Sequence, residues 1–270
     1  MNDDIAGLVK SRRSVRTFDG RPLSDGDRDR LTGFAETAGN PFGLSVRFVF
    51  LDADKNGLGS PVITGEKEYV AGIVKKQPLA EAAFGYSFEK LVLYAVSLGV
   101  GTTWIAGTMN RGQFEKASGL ENGEMMPCVS PLGYPAEKMS LRELTMRRGV
   151  GADRRLDAGK LFFDGQWGNP LAVPDEFAEA VQAVRLAPSA VNRQPWRVIR
   201  SGRDWHFYEK KGPGSYVSEK AGDLQKIDVG IALCHFNSVL ECKGMQTEIS
   251  VADPLFDVPP GAEYIATVSL

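Results

Sequence analysis

Histidine is nearly absent from this 270-residue chain: His206 and His235 are the only two. Cysteine is scarce, with Cys128, Cys234 and Cys242 alone. The histidines lie far apart and no cysteine pair has CxxC spacing, so no metal site is expected. An odd, scattered set of cysteines predicts reduced thiols, mostly buried as small apolar groups, in a cytoplasmic protein. No apolar run approaches the ~18 residues that a membrane helix needs. The opening MNDDIAGLVKSRRS has no apolar signal core, so no membrane association is expected. Net charge is only −2, which supplies no global field for nucleic acid and makes it an unexpected partner. GxSxG, P-loop and HExxH motifs are missing too. If the chain is an enzyme, a cofactor carries the chemistry and no catalytic side chain need be sought.

What is present is an ordinary globular composition, 43% hydrophobic and 24% charged, long enough for a sizeable core. Asp3 and Asp4 precede a short helix at Ile5 to Ser11. Ser24 is a good N-cap for a helix at Asp25 to Ala38, with Asp25 and Asp27 favourable in its first turn. Val46 to Ala53 reads as a strand and Asn56 to Gly65 as a loop. Ala82 to Leu98 is apolar on most sides, which predicts a central buried helix capped by Gly99. A helix at Arg111 to Ser118 and a strand at Met126 to Tyr134 follow. Lys138 to Lys160 is a basic connection carrying seven Lys or Arg residues. Beyond it come a helix at Asp175 to Ala187 and a hairpin of Trp196 to Arg200 with Trp205 to Tyr208. A second buried helix at Ile227 to Cys242 and strands at Met245 to Ala252 and Tyr264 to Leu270 complete the order. Strands joined by short turns, with helices between, predict an α+β fold: three α/β/α layers around a mixed, largely antiparallel sheet.

The second half repeats the order of the first. Gly85-Tyr86-Ser87 sets over Gly230-Ile231-Ala232 at an offset of 145 residues (230 minus 85). At that offset Gly99 falls on Gly244 and Thr102 on Thr247. Yet each half lacks the motif the other keeps. Only the first has SRRSVR (Ser11 to Arg16) and GTTWIAG (Gly101 to Gly107), and only the second has PSAVNRQPW (Pro188 to Trp196). An internal duplication whose two symmetric sites have been reduced to one composite site would leave this pattern. The boundary is set at residue 160, giving units 1–160 and 161–270.

In SRRSVR, alternation projects Arg12, Ser14 and Arg16 to one side of an extended segment. Two guanidiniums flanking a hydroxyl suit a phosphate; an exposed basic linker would look the same. In PSAVNRQPW, prolines stiffen both ends, and Ser189, Asn192 and Gln194 offer donors and acceptors suited to a planar heterocycle's edge. The alternative there is a helix-to-strand turn built from ordinary turn residues. GTTWIAG places small residues and backbone amides around one large ring, Trp104, with Gly101 and Gly107 allowing close approach.

Taken together, SRRSVRTF, LGVGTTWIAG, PLGYPAEK and APSAVNRQPWRV resemble, in that order, the FMN-dependent nitroreductase family. The tandem arrangement is similar to its single-chain branch, in which one polypeptide mimics the usual homodimer. The resemblance implies one FMN shared between the halves. Arg12, Ser14 and Arg16 would hold its phosphate, with Arg13 nearby and Arg154 and Arg155 closing on it. Trp104, Ile105, Ala106 and Gly107 would line one side of the isoalloxazine, and Pro188, Ser189, Ala190, Asn192 and Gln194 the other. Ala106 stands where many members carry an acidic residue. The implied activity passes electrons from NADH or NADPH through flavin N5 to a small-molecule aromatic acceptor such as a nitroaromatic or quinone. Reductive dehalogenation, flavin breakdown or a non-catalytic FMN-binding module are the alternatives. The chain is expected to act as a monomeric pseudo-dimer.

Overall fold

The structure, a computed structural model, describes residues 4–212 and 214–270; Asp3 lies outside them. In chain order the elements of the first half are α1 (Ile5–Ser11), α2 (Asp25–Ala35), β1 (Val46–Asp52), α3 (Ala53–Asn56), β2 (Glu68–Lys75), α4 (Ala80–Ser97), α5 (Arg111–Ala117), β3 (Glu124–Met125), β4 (Val129–Leu132) and α6 (Leu141–Gly149). Then come β5 (Phe162–Asp164), α7 (Ala178–Leu186), β6 (Trp196–Ser201), β7 (Asp204–Lys210), β8 (Val217–Ser218), β9 (Gly222–Asp223), α8 (Leu224–Cys242), β10 (Glu248–Ser250) and β11 (Ala262–Ser269).

The α+β class and the mixed, largely antiparallel pairing are as expected, but the strands divide into two main sheets and a separate two-stranded β8–β9 pair. One sheet has the order β1-β2-β3, with β4 also on β2. The other runs β10-β11-β7-β6-β5, in which only β5–β6 is parallel. All strands of the first come from residues before 133, and all of the second from residues after 161. Helix α4 lies on the first sheet, α8 lies on the second, and the two helices pack against each other.

The crossing of α4 and α8 has a reciprocal form. A Cβ on Gly85 would stand 2.1 Å from the Ile227 carbonyl oxygen, and one on Gly230 would stand 2.2 Å from that of Ala82. Both pairs obey one offset, since 230 minus 85 and 227 minus 82 are each 145. Each helix therefore presents a glycine to the other's backbone at equivalent positions, as the two faces of a twofold contact do.

Local chemistry explains most boundaries. Ser24 Oγ accepts the Asp27 N–H at 3.1 Å and starts α2. That helix stops at Ala35, three residues short of the expectation, and its C-terminus is closed by turns through Thr37. Of the expected strand at Met126 to Tyr134 only β4 forms, and β3 precedes it at Glu124–Met125. Between them lies Pro127, which has no ladder N–H to give. The basic connection is not a bare tether: Ser140 and Glu143 open α6, with Ser140 Oγ accepting the Glu143 N–H at 3.1 Å. The hairpin turns as expected, through Gly202 at φ +62°. Among the described residues no disulfide forms, and Cys128 and Cys234 are buried whereas Cys242 is exposed.

Candidate functional site

Between the two halves lies a cavity of about 540 Å³, within the range of about 300–1,000 Å³ usual for cofactor and small-molecule sites. Its walls come from the segment after α1, the segment after α4, the end of α6, the Pro-Ser loop and the first turns of α8.

The N-terminal segment runs extended beside residues 101–105, with the Val15 N–H donating to Thr102 O at 2.9 Å. Alternation then divides it. Arg12, Ser14 and Arg16 face the cavity, whereas Val15 is buried in a second core cluster behind the first sheet. Arg13 also turns away, to Glu143 at 3.2 Å. Buried Glu143 also accepts from the Arg16 N–H and the Thr17 hydroxyl, so α6 clamps the segment in this orientation. Gly101 serves the same packing, because a Cβ there would meet Val15 at 3.0 Å.

One end of the cavity is strongly cationic. The Arg12 side chain is 6% exposed, and its Nε lies 3.8 Å from Glu89, too far for a hydrogen bond. The Nε atoms of Arg12 and Arg155 are both buried without a hydrogen-bond partner. Burial lowers the pKa of Arg12, Arg16 and Arg155 from the ordinary guanidinium value. The neighbouring charge of Arg147 adds to that lowering in all three, and Arg12 adds to it in Arg155. Crowded, buried guanidiniums with unmet donors are the complement of a multiply charged anion, and a phosphomonoester fits them.

Glu89, fully buried on α4, supports this end from beneath. It accepts from Trp104 Nε1 at 3.0 Å and meets His235 Nε2 at 2.8 Å. His235 Nδ1 lies 2.9 Å from the Ala183 carbonyl, which can only accept. Trp104 therefore directs its N–H into the protein and leaves its ring to the cavity wall beside Ile105, Ala106 and Gly107. Ile105 is fixed by paired backbone bonds with Val129.

The Pro-Ser loop is held in an uncommon conformation. Val191, Asn192 and Gln194 take φ values of +46°, +57° and +52°. For β-branched Val191 this is costly backbone, of the kind that persists where surrounding contacts fix it. Those contacts are present. Gln194 N–H donates to Ser189 Oγ at 2.9 Å, and Asp228 of α8 receives the Ala190 N–H. Pro188, Ser189, Ala190 and Asn192 line the cavity, as does Arg155.

Three expected residues do not line it. Arg13 is turned to Glu143, and Arg154 is exposed. Gln194 is buried, with its Oε1 accepting the Leu156 N–H at 2.9 Å. Asn192 is also placed differently from the ring-edge reading. Its Nδ2 donates to Gly151 O at 2.7 Å and Arg154 O at 2.9 Å, and its Oδ1 lies 3.4 Å from Arg155 Nη1. Its amide thus holds the connection, and with it Arg155, at the cationic end.

The sequence reading missed Leu224, Gln225, Ile227, Asp228 and Ile231 of α8, and Met146 and Val150 at the end of α6. Two signals were available. A carboxylate at position 228 directly precedes the apolar run Val229 to Cys234 of a buried helix, and Ser-x-x-Glu at Ser140 to Glu143 is the opening of a helix. Among the described residues no helix is long and apolar enough to cross a membrane, and no cluster of His, Cys, Asp or Glu could hold a metal.

A family model described as "Putative TM nitroreductase" matches residues 4–239. Among solved structures, a "putative nitroreductase" of Thermotoga maritima MSB8 is 20% identical, with a TM-score of 0.63. That match covers 100% of this chain and 94% of the other, and at this identity it shows a shared fold. An FMN-dependent nitroreductase of Clostridium difficile R20291 is 18% identical with a TM-score of 0.43, covering 50% of this chain and 89% of its own. Iodotyrosine deiodinase, solved with FMN and 3-iodo-L-tyrosine, is 15% identical with a TM-score of 0.43, covering 50% and 92%. No curated protein matches. The family match spans nearly the whole chain and takes in every segment that walls the cavity, so this protein belongs to the nitroreductase family that the model describes.

Proposed function

We propose that this protein is an FMN-dependent oxidoreductase that passes electrons from NADH or NADPH to a small aromatic acceptor such as a nitroaromatic or quinone. The observation that carries the reading is the cavity's polarity. Arg12, Arg16 and Arg155 meet at one end, with the Nε atoms of Arg12 and Arg155 buried and unpartnered, while Trp104, Ile105, Ile227 and Ile231 line the rest. An anionic tail and a flat apolar ring are what such a site would complement. Arg12, Arg16, Arg155 and Ser14 would hold the phosphate. Residues 104–107 would flank the ring on one side and residues 188–190 on the other. The bound flavin would supply two-electron transfer, which no side chain of this chain offers. The chain's own part is to orient the ring, exclude water with its apolar walls, and hold the phosphate against the cationic end. Val191 and Tyr216, both exposed at the cavity, suit a flat apolar partner arriving over the ring.

The same reading includes internal duplication into units 1–160 and 161–270, with the chain acting as a monomeric pseudo-dimer. The reciprocal Gly85–Ile227 and Gly230–Ala82 contacts support it. One composite site follows, so titration of apoprotein with FMN should saturate near one flavin per chain. Saturation at two would mean that a second site survives. NADH or NADPH should then bleach the flavin absorbance. A yellow protein that neither nucleotide bleaches would instead be a binding module, and failure to bind FMN would remove the flavin assignment altogether.

The placement of Asn192 gives a further prediction. Asn192→Ala removes the bonds that hold Gly151 and Arg154, and so loosens Arg155. At about 0.5–1.5 kcal/mol per bond, FMN affinity should fall roughly 2- to 10-fold, with riboflavin affected less. Equal losses for both ligands, measured by fluorescence titration, would return Asn192 to the ring edge.

A further inference from the structure

We propose that Asp228 is the hydrogen-bond and proton donor at the apolar end of this cavity. The proposal rests on the flavin reading for the identity of what receives the proton, and on the geometry of α8 for the donor itself. Asp228 lies in the second turn of α8, is 4% exposed and forms part of the cavity wall. Both of its carboxyl oxygens lie 3.1 Å from a single donor, the Ala190 N–H. Among the described residues no Lys, Arg or His lies within ion-pair distance of it.

The charged and titratable groups around it come from every neighbouring element. Asp223, the N-cap of α8, and Glu209 of β7 are acidic, and Lys211 is taken up by Asp223 at 3.0 Å. Cys128, between β3 and β4, and Arg193, on the Pro-Ser loop, line the same cavity. Burial first, and then the charges of Asp223 and Glu209, push the Asp228 carboxyl well above the usual carboxylate range, against the pull of the Ala190 N–H. One N–H needs only one acceptor oxygen. In the acid form the other oxygen carries an O–H, and the cavity is the open side of the group. A buried carboxyl is a costly way to cap one backbone N–H, because an amide would serve without the charge.

The chemistry gives that proton a use. An acceptor such as a quinone, on receiving a hydride whose electrons come from NAD(P)H through the flavin, gains negative charge on an oxygen. The Asp228 O–H bond breaks as the acceptor O–H bond forms, and water at the cavity mouth reprotonates the carboxylate. The acceptor is reduced, the nicotinamide is oxidised, and Asp228 is unchanged over the cycle. General-acid assistance of this kind contributes about 10²–10⁴-fold.

Stability provides a check independent of flavin. A folded-state pKa raised above the unfolded value of about 3.9 means that wild type loses stability as pH rises above that value. Asp228→Asn keeps an acceptor for Ala190 and removes the titration. Its Tm should match wild type near pH 4 and exceed it at pH 7 and above; a lower Tm at pH 7 would overturn the proposal. The proton itself is read by infrared difference spectroscopy of apoprotein at pH 7. A carboxylic-acid carbonyl band should be present in wild type and lost in Asp228→Asn; no such band to lose would overturn it.

Turnover of holoprotein, with FMN loading matched, then tests the donor role. The ratio of quinone reduction to ferricyanide reduction, the latter needing no proton, should fall at least 10-fold in Asp228→Leu and less in Asp228→Asn. An unchanged ratio in both variants would overturn the donor role. If wild type bound no FMN, the flavin reading would fall, and the infrared band and the pH dependence of Tm would still decide whether Asp228 holds a proton.

Discussion

Alanine at Gly85 or at Gly230 should destabilise the protein, although alanine is the better helix former. Intrinsic propensity favours the change by about 1 kcal/mol in an exposed helix. Here the added methyl would stand 2.1 Å from Ile227 O or 2.2 Å from Ala82 O. Both obstacles are backbone carbonyls, which cannot rotate aside as a side chain can. The central helices must separate, and overpacking of this kind costs about 1–3 kcal/mol or more. Set against the propensity gain, the net loss should be about 2 kcal/mol, or roughly 4–8 °C in Tm for a chain of this size. The two variants should lose similar amounts because the contacts are reciprocal, and their double variant should lose less than the sum. Gly33→Ala is the control: it lies exposed in α2 with nothing within 4 Å of the added atom, so it should stabilise. Thermal melts that showed Gly85→Ala as stable as Gly33→Ala would mean that α4 and α8 do not cross so closely in solution.

The two glycines of that crossing stand out in the sequence because they recur inside two buried helices at one offset, but that the helices meet there does not. Other parts of the fold were not legible either, for reasons that differ. Strand β2 is buried at seven of its eight positions, so it lacks the alternation by which a half-buried strand is recognised. Its Gly72 looks like a strand breaker, yet it makes room for Phe84 and Phe88, which a Cβ would meet at 2.6 and 2.7 Å. Helix α6 has no apolar stripe and only Glu143 buried, so periodicity could not reveal it, although its cap could. Strand β5 is three residues long and exists because β6 pairs with it in parallel.

The site divides along the same line. Extended alternation placed Arg12, Ser14 and Arg16 together, and it needs only local geometry. The engagement of Asn192 and Gln194 depends on where a segment about 40 residues earlier passes over the loop. Their side chains look available in the sequence, and the backbone of residues 151–156 uses them. Asp228 reaches the cavity only because α8 abuts the Pro-Ser loop, a contact between elements that the sequence does not order in space.

Arg12→Ala should produce the largest change in ligand affinity of any single truncation at the cationic end. Arg12 is the most buried of its guanidiniums, its Nε has no hydrogen-bond partner, and Glu89 stays 3.8 Å away. Its donors therefore remain free for an incoming anion at no cost in broken internal bonds. A hydrogen bond to a charged group is worth about 1.5–3 kcal/mol, so FMN affinity should fall by about one to two decades. Riboflavin, which shares the ring and lacks the phosphate, should lose far less. The fold should survive, because Glu89 keeps both Trp104 Nε1 and His235 Nε2 as partners when Arg12 is removed. Arg13→Ala is the matched control, one residue away and of the same charge, but turned to Glu143 on the far side of the segment. It should leave the ratio of FMN to riboflavin affinity near that of wild type. Equal losses of FMN and riboflavin in Arg12→Ala, or an Arg13→Ala variant that discriminates as strongly, would show that the two arginines act through net charge alone. The phosphate would then have to be seated away from the alternating face of the N-terminal segment.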